Sequence, residues 1–92
     1  MITSIIIDDE RNAREFLEKL IIRNFSKKLI VLETVDSVKN GVEAIKNCRP
    51  DLVFLDIQMP DEYGLALFNH FDTVFFDVIL TTAHKDYAIE AI

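Results

Sequence analysis

Short apolar runs alternate along the chain with stretches in which apolar residues recur every three or four positions. That alternation is the mark of βαβ units on a parallel sheet. Four runs have the length of strands, at residues 3–7, 29–35, 52–55 and 75–81. Between the first two, Ala13, Phe16, Leu17, Leu20, Ile21 and Phe25 predict a helix with one buried stripe. Asp36 or Ser37 is placed to cap a second helix, with Val38, Val42, Ile45 and Cys48 facing inward and Pro50 preventing its continuation. The third run is apolar throughout, which predicts a central strand covered on both faces. Residues 58–61, Gln-Met-Pro-Asp, turn the chain away from the sheet. A third helix is expected to start near Tyr63 or Gly64 and to bury Leu65, Leu67, Phe68 and Phe71. Asp86 opens another helical pattern that reaches Ile92 with its apolar face uncovered and no capping residue, so the chain reads as a domain incomplete at its C-terminus.

Composition narrows the function classes. Ninety-two residues, 50% of them hydrophobic, are enough for one globular domain with a single core, spanning residues 1–92. The net charge of −6, with no clustered Lys or Arg, argues against nucleic-acid binding by this segment. The lone Cys48 cannot form an internal disulfide and reads as packing at the end of the second helix. With no secretory leader pattern and no apolar run of membrane-spanning length, the sequence points to a soluble, cytoplasmic protein.

The chemistry is in the acids. Asp8 and Asp9 end the first strand and Asp56 ends the third. If those strands lie side by side, the three carboxylates converge at the carboxyl edge of the sheet, where open α/β folds hold their ligands. Like charges so crowded imply a bound cation or a raised pKa, and Mg²⁺ suits a site with a few carboxylates and room for phosphate oxygens. Taken singly, Asp8 and Asp9 read as a turn and helix cap, and Asp56 as a turn residue. Their conjunction at neighbouring strand ends favours a site. Glu10 reads as favouring the helix N-terminus. His70 and His84 read as surface residues, and Phe16, Phe25, Phe68, Phe71, Phe75 and Phe76 as core.

Residues 7–10 (Ile-Asp-Asp-Glu), residues 50–60 (Pro-Asp-Leu-Val-Phe-Leu-Asp-Ile-Gln-Met-Pro) with Gly64, and Thr81-Thr82-Ala83 together resemble the receiver domain of two-component response regulators, along the entire chain. Thr81-Thr82-Ala83 with Asp86-Tyr87-Ala88 following is most similar to the LytTR (LytR/AlgR) subclass. The resemblance implies a flavodoxin-like, doubly wound parallel sheet of strand order 2-1-3-4, with the fifth βα unit absent. It also implies that Asp56 accepts a phosphoryl group from a sensor histidine kinase. Asp9, Asp56 and the backbone carbonyl of Gln58 would hold Mg²⁺ directly, and Asp8 through water. Thr82 would hydrogen-bond a phosphoryl oxygen and begin a conformational switch that controls a DNA-binding output domain outside this chain. Such a module assists its own phosphorylation and dephosphorylation and is not a metabolic enzyme.

Two departures bear on that reading. The family's lysine and aromatic switch residue on the fifth strand have no counterpart here, and Lys85 does not match the lysine motif. A receiver-derived interaction module that no longer switches is therefore one alternative. The other is an aspartyl-phosphate phosphohydrolase, which needs a second acid two residues after its nucleophile, where this chain has Gln58. A fourth strand left at the sheet edge, carrying Val78, Ile79 and Leu80, predicts self-association through that edge.

Overall fold

The computed structural model describes residues 1–60 and 62–81, in the order β1 (Ile2–Ile7), α1 (Arg11–Phe25), β2 (Leu29–Val35), α2 (Val38–Cys48), β3 (Leu52–Asp56), a 3-10 helix (Gly64–His70) and β4 (Asp77–Thr81). The four strands form one parallel sheet in the order β2-β1-β3-β4. Asp61 and the segment 82–92, which includes Thr82, Ala83, His84, Lys85 and the helical pattern from Asp86, lie outside the described residues.

Period-two alternation sorts the strands' side chains onto two faces. Ile5 and Ile7, Val53 and Leu55, and Val78 and Leu80 pack with Val38 and Ile45 of α2 and Leu67 of the 3-10 helix. On the other face Ile6 and Phe54 pack with Ile21 of α1. Helices thus cover both faces, and β3 is central and buried along most of its length, as its unbroken apolarity predicts. α2 approaches β1 closely because Gly41 has no side chain: a Cβ there would meet the side chain of Ile7. Ser37 caps α2, its Oγ accepting from the amide of Asn40 at 3.1 Å. The helix ends where Arg49 turns left-handed (φ 46°) and its amide donates to Ile45 O, just before Pro50.

At the amino end of the sheet, Asp51 clamps β1 to β3. Its Oδ2 accepts from the amide of Thr3 at 2.9 Å and from Thr3 Oγ1 at 3.1 Å, while its own amide donates to Thr3 O. The bond from the Thr3 amide holds the Asp51 carboxyl below its ordinary pKa. This half of the Pro50-Asp51 motif therefore holds strands together at the end opposite Asp56.

Two expectations need correction. On α1 only Ile21 is buried, with Ala13 and Leu17 partly so, whereas Phe16 (69% exposed), Leu20 and Phe25 face solvent. Successive helical residues are about 100° apart, so the every-fourth-residue line of Ala13, Leu17 and Ile21 excludes Phe16 and Leu20 from a narrow contact. The third helix starts at Gly64 as expected, and its form is 3-10. It is tethered at its start by the Gly64 amide on Ile57 O (2.7 Å) and leads into an aromatic cluster at its end. Seven residues in 3-10 form span about 14 Å, against about 10 Å in an α-helix, which lets a short segment reach between those anchors. Finally, β4 begins at Asp77, because Phe76 is drawn into edge and stacked contacts with Phe68, Phe71 and Phe75. Of the six phenylalanines expected in the core, Phe76 is buried, Phe68 and Phe71 are partly buried, and Phe75 is exposed with Arg49 lying 4.1 Å from its ring centre.

Candidate functional site

The strand order places the acids. β1 and β3 are neighbours with Ile7 opposite Leu55, so the residues that follow, Asp8 and Asp56, emerge side by side. The chain leaves β1 toward β2 on one side and later crosses to β3 on the other. The carboxyl end of this strand pair is therefore a topological switch point, where open α/β sheets form a ligand crevice.

Each of Asp8, Asp9 and Asp56 offers a carboxylate oxygen there, and these three oxygens lie within 4.8 Å of one another. Asp56 is buried, Asp8 is half-buried and Asp9 is exposed. Burial, first of all, pushes the Asp56 carboxyl up to about 6, with the neighbouring charges of Asp8 and Asp9 acting in the same direction. A bond from the Gln58 amide to Asp56 Oδ1, at 3.2 Å, opposes that rise in part. Burial likewise raises the Asp8 carboxyl, against the pull of the Glu10 amide.

The local geometry shows how the loop after β1 is built. The Asp8 amide donates to Val35 O, Asp8 Oδ1 accepts from the Glu10 amide at 2.9 Å, and Arg14 Nη1 donates to Asp8 O at 2.9 Å. Asp8 thus makes the turn that a bland reading assigned to it, and it also belongs to the carboxylate cluster. Glu10 stands at the N-cap of α1 without a side-chain capping bond. Gly64 packs against the main chain at the end of β3: a Cβ at this position would fall onto the carbonyl oxygen of Asp56 and 2.8 Å from Ile57 Cα.

The donor set fits a hard divalent cation. Three oxygen donors converge, two of their carboxyls have raised pKa values, and among the described residues no lysine or arginine pairs with them. The other candidates have ordinary settings. His70 Nε2 lies 3.1 Å from Glu62 Oε2 at the surface. Cys48 packs against the core with its Sγ 3.6 Å from Glu33 Oε2, and burial together with that carboxylate raises the thiol's pKa, the opposite of what a reactive thiolate needs.

Arg14 is the residue at the site that the sequence reading did not single out. It carried a signal all the same: Arg11 and Arg14 put two cations at the start of α1, where the helix dipole disfavours them. Arg11 is held by Glu15 at 3.0 Å, and Arg14 by the carbonyl of Asp8.

Among known families, residues 5–92 match the response regulator receiver domain. The chain is 39% identical over 92 residues to the transcriptional regulatory protein BtsR of Escherichia coli (strain K12), covering 99% of this chain and 38% of that protein. It is 32% identical over 93 residues to the sensory transduction protein LytT of Bacillus cereus, covering 99% of this chain and 37% of that protein. The chain thus spans under two-fifths of the length of these relatives. In fold it is similar to the response regulator domain of Thermotoga maritima CheB, with a TM-score of 0.83 at 21% identity over 99% of this chain and 66% of that one.

Proposed function

This chain belongs to the response regulator receiver domain family, and on that premise we propose that it accepts a phosphoryl group on Asp56 from a histidine kinase. The observation that carries the reading is the convergence of Asp8 and Asp9 on a buried Asp56 at the switch point of the sheet. The transfer is a displacement at phosphorus. A carboxylate oxygen of Asp56 forms the new P–O bond while the P–N bond to the donor imidazole breaks, and the electron pair returns to nitrogen. Asp56 Oδ1 accepts from the Gln58 amide, which supports attack through Oδ2.

A carboxylate is a weak nucleophile, so positioning and charge neutralisation carry most of the catalysis. Asp9, Asp56 and the carbonyl of Gln58 are the groups that would hold Mg²⁺ directly, with Asp8 acting through water. Bound there, Mg²⁺ supplies the positive charge that offsets repulsion between three acids and an incoming phosphoryl group. The adjacent strand ends keep the three carboxylates within reach of one another, and the main-chain amide of Gln58 orients the acceptor. Thr82 would donate a hydrogen bond to a phosphoryl oxygen and transmit its arrival to an output domain of DNA-binding type in a longer parent protein. BtsR and LytT, named for transcriptional regulation and sensory transduction, support that assignment by analogy.

Incubating the chain with a small-molecule phosphodonor, with and without Mg²⁺, and reading the intact mass tests the reading. One phosphoryl adduct is expected only with Mg²⁺ and only while Asp56 is present; an Asp56→Asn variant that is labelled equally would overturn it.

A further inference from the structure

We infer that Arg14 is a positioning residue for the acidic pocket, holding the loop that carries Asp8 and Asp9 so that both carboxylates face Asp56. The role rests on the reading of the pocket as a Mg²⁺ site. Arg14 is half-buried in the first turn of α1, and its Nη1 reaches back six residues to the main-chain oxygen of Asp8 at 2.9 Å. It also lines a polar cavity of about 410 Å³ together with Glu33, Asp36 and Glu43. Three carboxylates are therefore close by, yet among the described residues Arg14 forms no ion pair with any of them. The guanidinium is spent on a carbonyl.

That carbonyl belongs to a loop with few other supports. The Asp8 amide is tied to Val35 O, and Asp8 Oδ1 to the Glu10 amide. The bond from Arg14 ties the same residue to the helix that follows, so Asp8 is held from β2, from its own turn and from α1. A fixed Asp8 carbonyl fixes the peptide that starts Asp9, the exposed member of the cluster. Groups behind the ligands commonly govern how well the ligands are placed.

Charge and position pull in opposite directions here, which makes the role testable. The cation of Arg14 lowers the Asp8 carboxyl by attraction, and on charge alone its removal would make the pocket more negative and tighten cation binding. Loss of positioning would weaken it. The inference therefore predicts the sign opposite to simple electrostatics.

The test is calorimetric titration of Mg²⁺ alone into the chain and into Arg14→Met, Arg14→Lys and Arg11→Met, with metal-free thermal midpoints measured alongside. Arg11→Met deletes an equal charge from the same turn, but Arg11 is bonded to Glu15 and not to the loop. Arg14→Met is expected to bind Mg²⁺ ~10-fold more weakly, the lower end of what loss of a group behind the ligands causes. Arg11→Met is expected to match the parent or bind slightly tighter, and Arg14→Lys, with charge but no planar fork, to fall between. Unchanged or tighter binding by Arg14→Met overturns the role of Arg14 and leaves the pocket standing. Absence of saturable Mg²⁺ binding in the parent overturns the reading of the pocket, and this role with it. Should Arg14→Met fail to fold, Arg14→Lys decides: weaker binding than the parent supports the role, and equal binding overturns it.

Discussion

Gly64 lies so close to the main chain of Asp56 that a Cβ at residue 64 would overlap the Asp56 carbonyl oxygen. Its amide donates to Ile57 O at 2.7 Å, so the start of the 3-10 helix is fastened to the strand end that carries the proposed acceptor. The obstacle is backbone on backbone, with no flexible side chain to yield. Gly64→Ala is expected to destabilise the fold by about 1–3 kcal/mol, the range for forcing extra atoms into a packed site. Urea unfolding midpoints check it, and an unchanged midpoint would mean that the loop after β3 moves freely away from Asp56.

The acid cluster gives stability a definite pH dependence. Asp56 is raised to about 6 in the fold, against about 3.9 in an unfolded chain. The folded state therefore binds more protons between those values, and metal-free stability falls as pH rises through this window. Asp8, raised for the same first reason, adds to the effect in the same direction. Asp56→Asn should flatten the dependence and stabilise the metal-free protein at pH 7.5 by about 1–2 kcal/mol, a linkage value reduced for relaxation around the group. Chelator-treated samples unfolded in urea at pH 5 and pH 7.5 measure both. A parent that is equally stable at the two values, or more stable at the higher, contradicts the burial of charge at Asp56.

Adding Mg²⁺ should reverse that loss. At ten times its dissociation constant, a ligand that binds only the folded state contributes about 1.4 kcal/mol. The parent is expected to show this shift in thermal midpoint, and Asp9→Asn to lose most of it, because Asp9 is one of the three converging carboxylates. A full Mg²⁺ shift in Asp9→Asn would remove that residue from the site.

On α1, Ile21 is the buried residue and Phe16 the most exposed large apolar one. Ile21→Ala is expected to cost about 2–4 kcal/mol by leaving a cavity against Ile6 and Phe54. Phe16→Ala should change stability by no more than about 0.5 kcal/mol. Denaturant midpoints of the two variants decide the orientation of the helix.

That pair also shows where sequence reading reaches and where it stops. The strands were legible because short apolar runs alternate with helical spacing, their order was implied by the resemblance to the receiver family, and a cap at Ser37 is one of the two its chemistry allowed. The choice between Phe16 and Ile21 was not legible. Both obey a three-and-four spacing, and only the width of the sheet face under α1 excludes one of them. Phe76 left the expected strand for aromatic partners on and just after the 3-10 helix, a tertiary preference that period-two counting does not contain. The convergence of Asp8, Asp9 and Asp56 followed from strand adjacency alone. The bond from Arg14 to Asp8 O did not, because a hydrogen bond to a carbonyl leaves only an indirect trace in residue types, here a cation placed against the helix dipole.

Chemical localisation of the phosphoryl group decides whether Asp56 is the phosphoacceptor. After treatment with phosphodonor and Mg²⁺, borohydride reduces an acyl phosphate to the alcohol and marks the residue that carried it, which peptide mass mapping then locates. The mark is expected at Asp56 alone and is expected to vanish when Mg²⁺ is chelated. A mark on Asp8, Asp9 or a residue outside the pocket, with Asp56 unmodified, would mean that Asp56 is not the acceptor.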